Sequence, residues 1–252
     1  VATVDAENGR LIPQRAGTTT LVATDERSGL MASCLVVVSE KALVGVKDIQ
    51  LDGKARFLVL LDDGKLFYWD CTGKHYSPML IAEDVRTMCF DTANSIYYIL
   101  NDGTFFEYSN YNIQYGGGAT VCFANQFTGK KIDRLSVCQG SYYAMTDDGV
   151  VYAWGKNENG QLGLGSTEEV KEPTKVPLEN VVDISAYYTT FFLTKNGQLY
   201  AAGKFNGKLN SIPVLLDEGV KSIGYTDSTS CYYYTENGQI KYTGKGTITV
   251  VS

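Results

Sequence analysis

Tyr142-Tyr143-Ala144-Met145-Thr146-Asp147-Asp148-Gly149-Val150-Val151-Tyr152-Ala153-Trp154 reads as two apolar strands joined at an acidic turn that ends in glycine. Aromatic and β-branched residues favour extended chain on both sides, and Asp-Gly supplies a backbone that can reverse. The same grammar recurs about Gly64, Gly103, Gly197 and Gly238, at successive spacings of 39, 46, 48 and 41 residues. Asp-Gly or Asn-Gly predicts a two-residue reverse turn at each, with both turn residues left-handed. Both strand faces are apolar, as sheets stacked face to face require. Apolar lead-in segments at 85–90, 132–137, 181–184 and 220–223 add a further strand to the unit. Pro78, Pro177 and Pro213 lie four to seven residues upstream of such segments, where an edge or linker tolerates a missing N–H. A unit of three or four short strands with a period near 40 residues is the size of a propeller blade. The expected fold class is all-β.

Bulk properties narrow the function classes. The 252 residues carry 28 acidic and 22 basic side chains, net charge -6, so the overall field opposes a nucleic-acid backbone. No apolar run reaches the roughly 18 residues of a membrane helix, and no membrane insertion is expected. Cys34, Cys71, Cys89, Cys122, Cys138 and Cys231 form no CxxC pair, which argues against a metal knuckle and for buried, mostly reduced thiols, with disulfides open. The chain starts at Val1 with neither initiator Met nor signal peptide and is expected to be a processed product or an excised segment.

At Val150-Val151-Tyr152-Ala153-Trp154-Gly155-Lys156-Asn157-Glu158-Asn159-Gly160-Gln161-Leu162-Gly163-Leu164-Gly165 the chain resembles the signature of the chromosome-condensation-regulator (RCC1-like) propeller repeat. Ala201-Ala202-Gly203-Lys204 and Tyr242-Thr243-Gly244-Lys245-Gly246 echo it weakly, and Phe105 to Ser109 lacks the terminal glycine. The resemblance covers about residues 48 to 246 and implies an RCC1-like β-propeller or part of one. The family usually closes seven blades, and five hairpin units are visible here. The His common before the family's second blade strand is absent, and neither an exchange-factor role nor nucleosome binding through basic tails carries over.

Residues 1–40 have a different grammar, with short strands expected at Val1 to Val4, Arg10 to Ile12, Thr18 to Ala23 and Cys34 to Val38 between Asn8-Gly9, Ala16-Gly17 and Ser28-Gly29 turns. This segment resembles the C-terminal half of a bacterial Ig-like domain of the second group. The expected organisation is therefore a partial Ig-like domain over 1–40 and propeller repeats over 41–252. The resemblance implies a companion polypeptide completing the sandwich and an extracellular or cell-surface setting.

Chemistry finds little foothold. His75 is the only histidine, so no histidine zinc site or His relay can be built, and Cys71 beside it has no orienting partner. Asp62, Asp63, Asp102, Asp147 and Asp148 precede hairpin glycines, where Asn196 and Asn237 stand in other units, so they read as turn formers rather than as a catalytic pair. No metal, cofactor or catalytic residue is expected. Most of the 18 tyrosines recur at strand positions and belong to the blades. Those in or beside loops, Tyr108, Tyr111, Tyr115 and Tyr187, are the candidate contacts for a protein partner. The expected function is a noncatalytic extracellular protein-binding or adhesion module, with carbohydrate binding the alternative and an acid-pair hydrolase a more distant one.

Overall fold

In the computed structural model, residues 2–4, 11–13, 17–24, 31–38, 45–51, 56–70, 78–91, 93, 95–124, 126–205, 207–226, 229–243 and 249–251 are described. They divide into two units, Val1–Glu83 and Asp84–Ser252. In the first, β1 (Ala2–Val4) pairs with β2 (Leu11–Pro13), and β3 (Gly17–Thr24) pairs with β4 (Met31–Val38) from Gly17↔Val38 to Thr24↔Met31. A four-stranded antiparallel sheet follows: β5 (Val46–Leu51), β6 (Arg56–Leu61), β7 (Leu66–Asp70) and β8 (Met79–Ala82). The two N-terminal hairpins are separate two-stranded sheets. Two separate hairpins do not by themselves make the face-to-face sheets of a sandwich, and the described residues give no support for an Ig-like segment or for a companion polypeptide that completes it. His75 and Cys71 lie outside the described residues.

The second unit repeats the four-stranded pattern four times. Its sheets are β9 (Val85–Phe90) to β12 (Thr120–Phe123), β13 (Ile132–Cys138) to β16 (Val170–Lys175), β17 (Val181–Ala186) to β20 (Lys208–Asp217), and β21 (Val220–Thr226) to β24 (Thr249–Val251). The middle strands are β10 (Ile96–Leu100) and β11 (Phe105–Tyr108), β14 (Ser141–Thr146) and β15 (Val151–Gly155), β18 (Thr189–Thr194) and β19 (Leu199–Phe205), and β22 (Cys231–Thr235) and β23 (Ile240–Tyr242). In each sheet the outermost strand is the one sequence periodicity did not isolate. No position of β16 or β20 is buried, so they carry little apolar pattern, and Pro213 is accommodated within β20 at the sheet edge. A six-residue helix, α1 (Asn110–Tyr115), sits between β11 and β12, with Ser109 Oγ accepting from Asn112 N and Gly116 left-handed at its C-cap.

Every middle pair turns the same way. Gly64, Gly103, Gly149, Gly197 and Gly238 have φ of 82°, 90°, 81°, 74° and 84°. In each, the glycine N–H donates to the carbonyl three residues back, at 2.9 to 3.1 Å. The preceding acid or amide is not left-handed, so these are three-residue loops, a type I turn closed by a left-handed glycine, rather than two-residue reverse turns. The extra residue lets the side chains work inside the turn. Asp102 Oδ1 accepts Thr104 N at 2.8 Å, and Thr146, Thr194 and Thr235 each accept an N–H four residues on through Oγ1. Asp148, hydrogen-bonded by Thr146, is held below the usual carboxylate range.

Apolar packing joins successive sheets of the second unit. Tyr97, Ile99 and Phe105 of one pack on Leu135, Val137, Ala144 and Trp154 of the next. Tyr143, Met145 and Val151 then pack on Ile184, Phe192 and Ala202, and Phe191, Leu193 and Leu199 on Val220, Cys231 and Tyr233. A polar clasp sits beside the last interface. Asp217 Oδ2 accepts from Tyr233 Oη and Lys241 Nζ, both at 2.8 Å. Burial works to raise this carboxyl, but the hydrogen bonds from Lys241 and Tyr233 outweigh it and hold the group below 3.8. The clasp's stabilisation is therefore present above about pH 4 and is lost as pH falls through the depressed folded value. Asp217→Asn should cost about 1–2 kcal/mol at neutral pH and flatten the acid limb of stability against pH. Urea melts from pH 7 down to pH 2 check this, and an unchanged acid limb would refute it.

Candidate functional site

At the end of the sheets opposite the glycine hairpins, a cleft of about 660 Å3 opens across three successive blades of the second unit. Its walls are the Cys138–Ser141 turn, the loop that follows β15, the Tyr187–Tyr188 turn and Asp91. Gln139 and Gly140 reverse the chain between β13 and β14 with φ of 49° and 83°. Gln is an unusual choice there, since left-handed backbone suits Gly, Asn or Asp. Its side chain is nevertheless engaged: Nε2 donates to Tyr187 Oη at 2.8 Å, tying two blades together across the cleft. Tyr187 and Tyr188 meet edge to face at 4.9 Å between centroids.

The loop after β15 forms the floor and owes its shape to buried amides. Asn157 Nδ2 donates to Ser166 O at 2.9 Å, while its Oδ1 accepts Leu162 N at 3.0 Å. Gln161 Nε2 donates to Ser141 Oγ at 3.0 Å and Lys156 O at 3.1 Å. Ser141 Oγ also donates to Lys156 O at 2.7 Å. Tyr143 Oη donates to Gln161 O at 2.9 Å and lies 2.7 Å from Thr190 Oγ1, and burial pushes its phenol far up. Gly155 is left-handed because the chain must pass close to the neighbouring turn: a Cβ there would lie 2.1 Å from Gly140 O. Lys156, Glu158 and Asn159 are thereby presented along the cleft. The signature loop is thus a scaffold for a polar wall.

Of the four tyrosines singled out by sequence, Tyr187 alone lines this cleft. Tyr108 ends β11 opposite Ile96, the first residue of β10, so it lies at the same end of its blade as the cleft. α1 leaves from there, carrying Tyr111 within it and Tyr115, 72% exposed, at its last position. Gln139, Lys156, Glu158 and Tyr188 were missed. The one sequence signal was Gln139-Gly140 after an apolar strand, the same punctuation as the hairpins. A second cavity, about 400 Å3, lies at the glycine-hairpin end between Lys175, Pro177, Asn180, Thr194 and Tyr200.

The cleft offers hydroxyls, amides, one ammonium and carboxylates, a set that recognises polar main chain and side chains. Among the described residues no three His, Cys, Asp or Glu side chains gather to hold a metal. Burial raises the Cys89 thiol well above the ordinary range and Cys122 to about 11, which keeps both protonated.

Residues 148–189 match the regulator of chromosome condensation (RCC1) repeat. That segment contains the floor loop, Tyr187 and Tyr188. The ultraviolet-B receptor UVR8 of Arabidopsis thaliana is 34% identical over 79 residues, 30% of this chain and 18% of that protein. Ras guanine nucleotide exchange factor C of Dictyostelium discoideum is 41% identical over 100 residues, 37% of this chain and 7% of that protein. The aligned stretches span less than a fifth of either relative. Yeast RCC1 (Prp20), solved in complex with Kap60, superposes with a TM-score of 0.58 at 16% identity over 75% of this chain and 54% of that one. The fold is an all-β, propeller-like one. The expectation of an extracellular or cell-surface adhesion module is overturned: the proteins this chain resembles are an ultraviolet-B receptor, a Ras guanine nucleotide exchange factor and yeast RCC1, none of them named as an adhesion module.

Proposed function

We propose that this chain is a noncatalytic protein-binding propeller scaffold whose partner engages the end of the blades that carries the Gln139–Tyr187 cleft. Residues 41–252 form the binding repeats in this reading, with 1–40 a separate N-terminal segment. The observation that carries it is Gln139 in a left-handed conformation in the cleft wall, its amide bonded to Tyr187. Such backbone costs about 1–3 kcal/mol and persists where the site has a use for it. Tyr187 and Tyr188 supply rigid, amphipathic area, Lys156 and Glu158 a charged rim, and Tyr108, Tyr111 and Tyr115 a peripheral contact at the same end. That a solved relative was captured with the protein Kap60 fits this reading.

Affinity capture with the intact chain, followed by titration of the recovered partner, tests it. Tyr187→Ala should weaken binding about tenfold or more, whereas Gln139→Gly should weaken binding while keeping or raising thermal stability, since glycine relieves the strained turn. Unchanged affinity in both folded variants would reject the cleft as the binding site.

A further inference from the structure

Asp91, Gln139 and Tyr187 are each the first residue after the opening strand of their blade, and they follow one another at intervals of 48 residues. Equivalent turns of three successive blades therefore form one row along the cleft. Packed sheets lie roughly 10 Å apart, so the row runs for about 20 Å, the length of about six residues of extended chain. The cleft is a trough rather than a round pocket.

Most of the free hydrogen-bonding groups in this trough are neutral. Among the described residues, Gln139 Oε1, the Asn159 carboxamide and the Tyr188 hydroxyl take part in no hydrogen bond. Each is nevertheless held in place: Gln139 through Nε2 to Tyr187, Asn159 through its main-chain N–H to Gln161, and Tyr188 through its ring against Tyr187. A partner that covers the trough takes these groups out of water, and any of them left unsatisfied costs affinity. A carboxamide both donates and accepts, as a peptide unit does. An α-helix spends its N–H and C=O groups internally and offers such amides only its side chains. Extended chain presents main-chain donors and acceptors along its whole edge. The Lys156 ammonium and the Glu158 carboxylate also have no ion pair among the described residues. The stem of Lys156 lies along Gly140, where a Cβ would come within 3.2 Å of Lys156 Cδ.

We propose that the partner presents an extended segment of about six residues, a loop or tail rather than a helix, which lies along the trough and is held chiefly through its main chain by Gln139, Asn159 and Tyr188. The proposal rests on the reading of this cleft as the partner site and adds the form the partner must take there. Lys156 and Glu158, two residues apart on one loop, meet side chains of opposite charge at the rim. Between those charges, recognition through main chain tolerates a varied sequence.

Linear peptides of about twelve residues, twice the length of the trough, selected by phage display on the intact chain and then synthesised, test this by fluorescence anisotropy. Tyr188→Phe and Asn159→Ala should each weaken peptide binding about fivefold, since each removes one hydrogen bond. Neither polar group has a partner within the described chain whose loss would disturb the fold. N-methylation of the peptide's main-chain amides, one at a time, should weaken binding about tenfold or more at the positions that lie in the trough. Recognition through side chains alone predicts no such pattern. The peptides should also displace the partner recovered by affinity capture. Selection that yields no binder, or binders indifferent to both variants and to N-methylation, overturns the proposal. A captured partner that loses affinity with Tyr187→Ala, yet is displaced by no peptide and ignores Tyr188→Phe and Asn159→Ala, also overturns it while leaving the cleft as the docking site. A partner that ignores Tyr187→Ala removes the cleft reading itself, and this proposal with it.

Discussion

Trp154→Ala should lower unfolding free energy by about 3–5 kcal/mol and the melting temperature by roughly 10 °C. The indole is 2% exposed and stacks on Tyr142 at 5.4 Å, with Phe105 edge-on at 5.6 Å and Phe127 at 5.6 Å. Truncation removes the centre of an aromatic cluster built by two blades, and rings locked in neighbouring sheets cannot collapse into the space. Trp154→Phe should recover most of the loss. It keeps an aromatic body and deletes the indole N–H, which has no hydrogen-bond partner although buried. Urea denaturation followed by far-UV circular dichroism measures both variants. A loss under about 1 kcal/mol for the alanine variant would contradict the packing described here.

Gly149→Val should cost about 3 kcal/mol or more, against about 0.5 kcal/mol or less for Lys156→Ala. Two effects add at Gly149. Its φ of 81° is strongly disfavoured for a β-branched residue. A Cβ there would also lie 2.8 Å from Asn180 Cα and from Val181 N, where the chain enters the next blade and Val181 N donates to Gly149 O at 3.0 Å. The atoms in the way are backbone, so no side chain can swing aside. Lys156 by contrast presents its ammonium to the open cleft. Similar melting temperatures for the two variants would show that the hairpin does not need glycine.

The glycine hairpins were legible because two local requirements coincide at one residue. Each turn needs a left-handed position, and at Gly103, Gly149 and Gly197 the following chain also passes close against it, so glycine recurs at blade spacing whatever the surrounding side chains are. Apolar residues on both strand faces likewise announced sheets covered on both sides, as Tyr143 and Ala144 show by packing into opposite interfaces. The RCC1 signature was readable because Asn157 and Gln161 fold their loop through bonds to near neighbours in sequence. The cleft was not legible. Gln139 and Tyr187 are 48 residues apart, and their meeting depends on how one blade packs on the next, which no local pattern encodes. The unequal burial of equivalent blade positions was hidden for the same reason. Tyr232 and Phe191 occupy the same place in the repeat and look alike in sequence, yet one is exposed and the other buried. Burial of a blade face is a property of its neighbour, so only the tertiary structure distinguishes them.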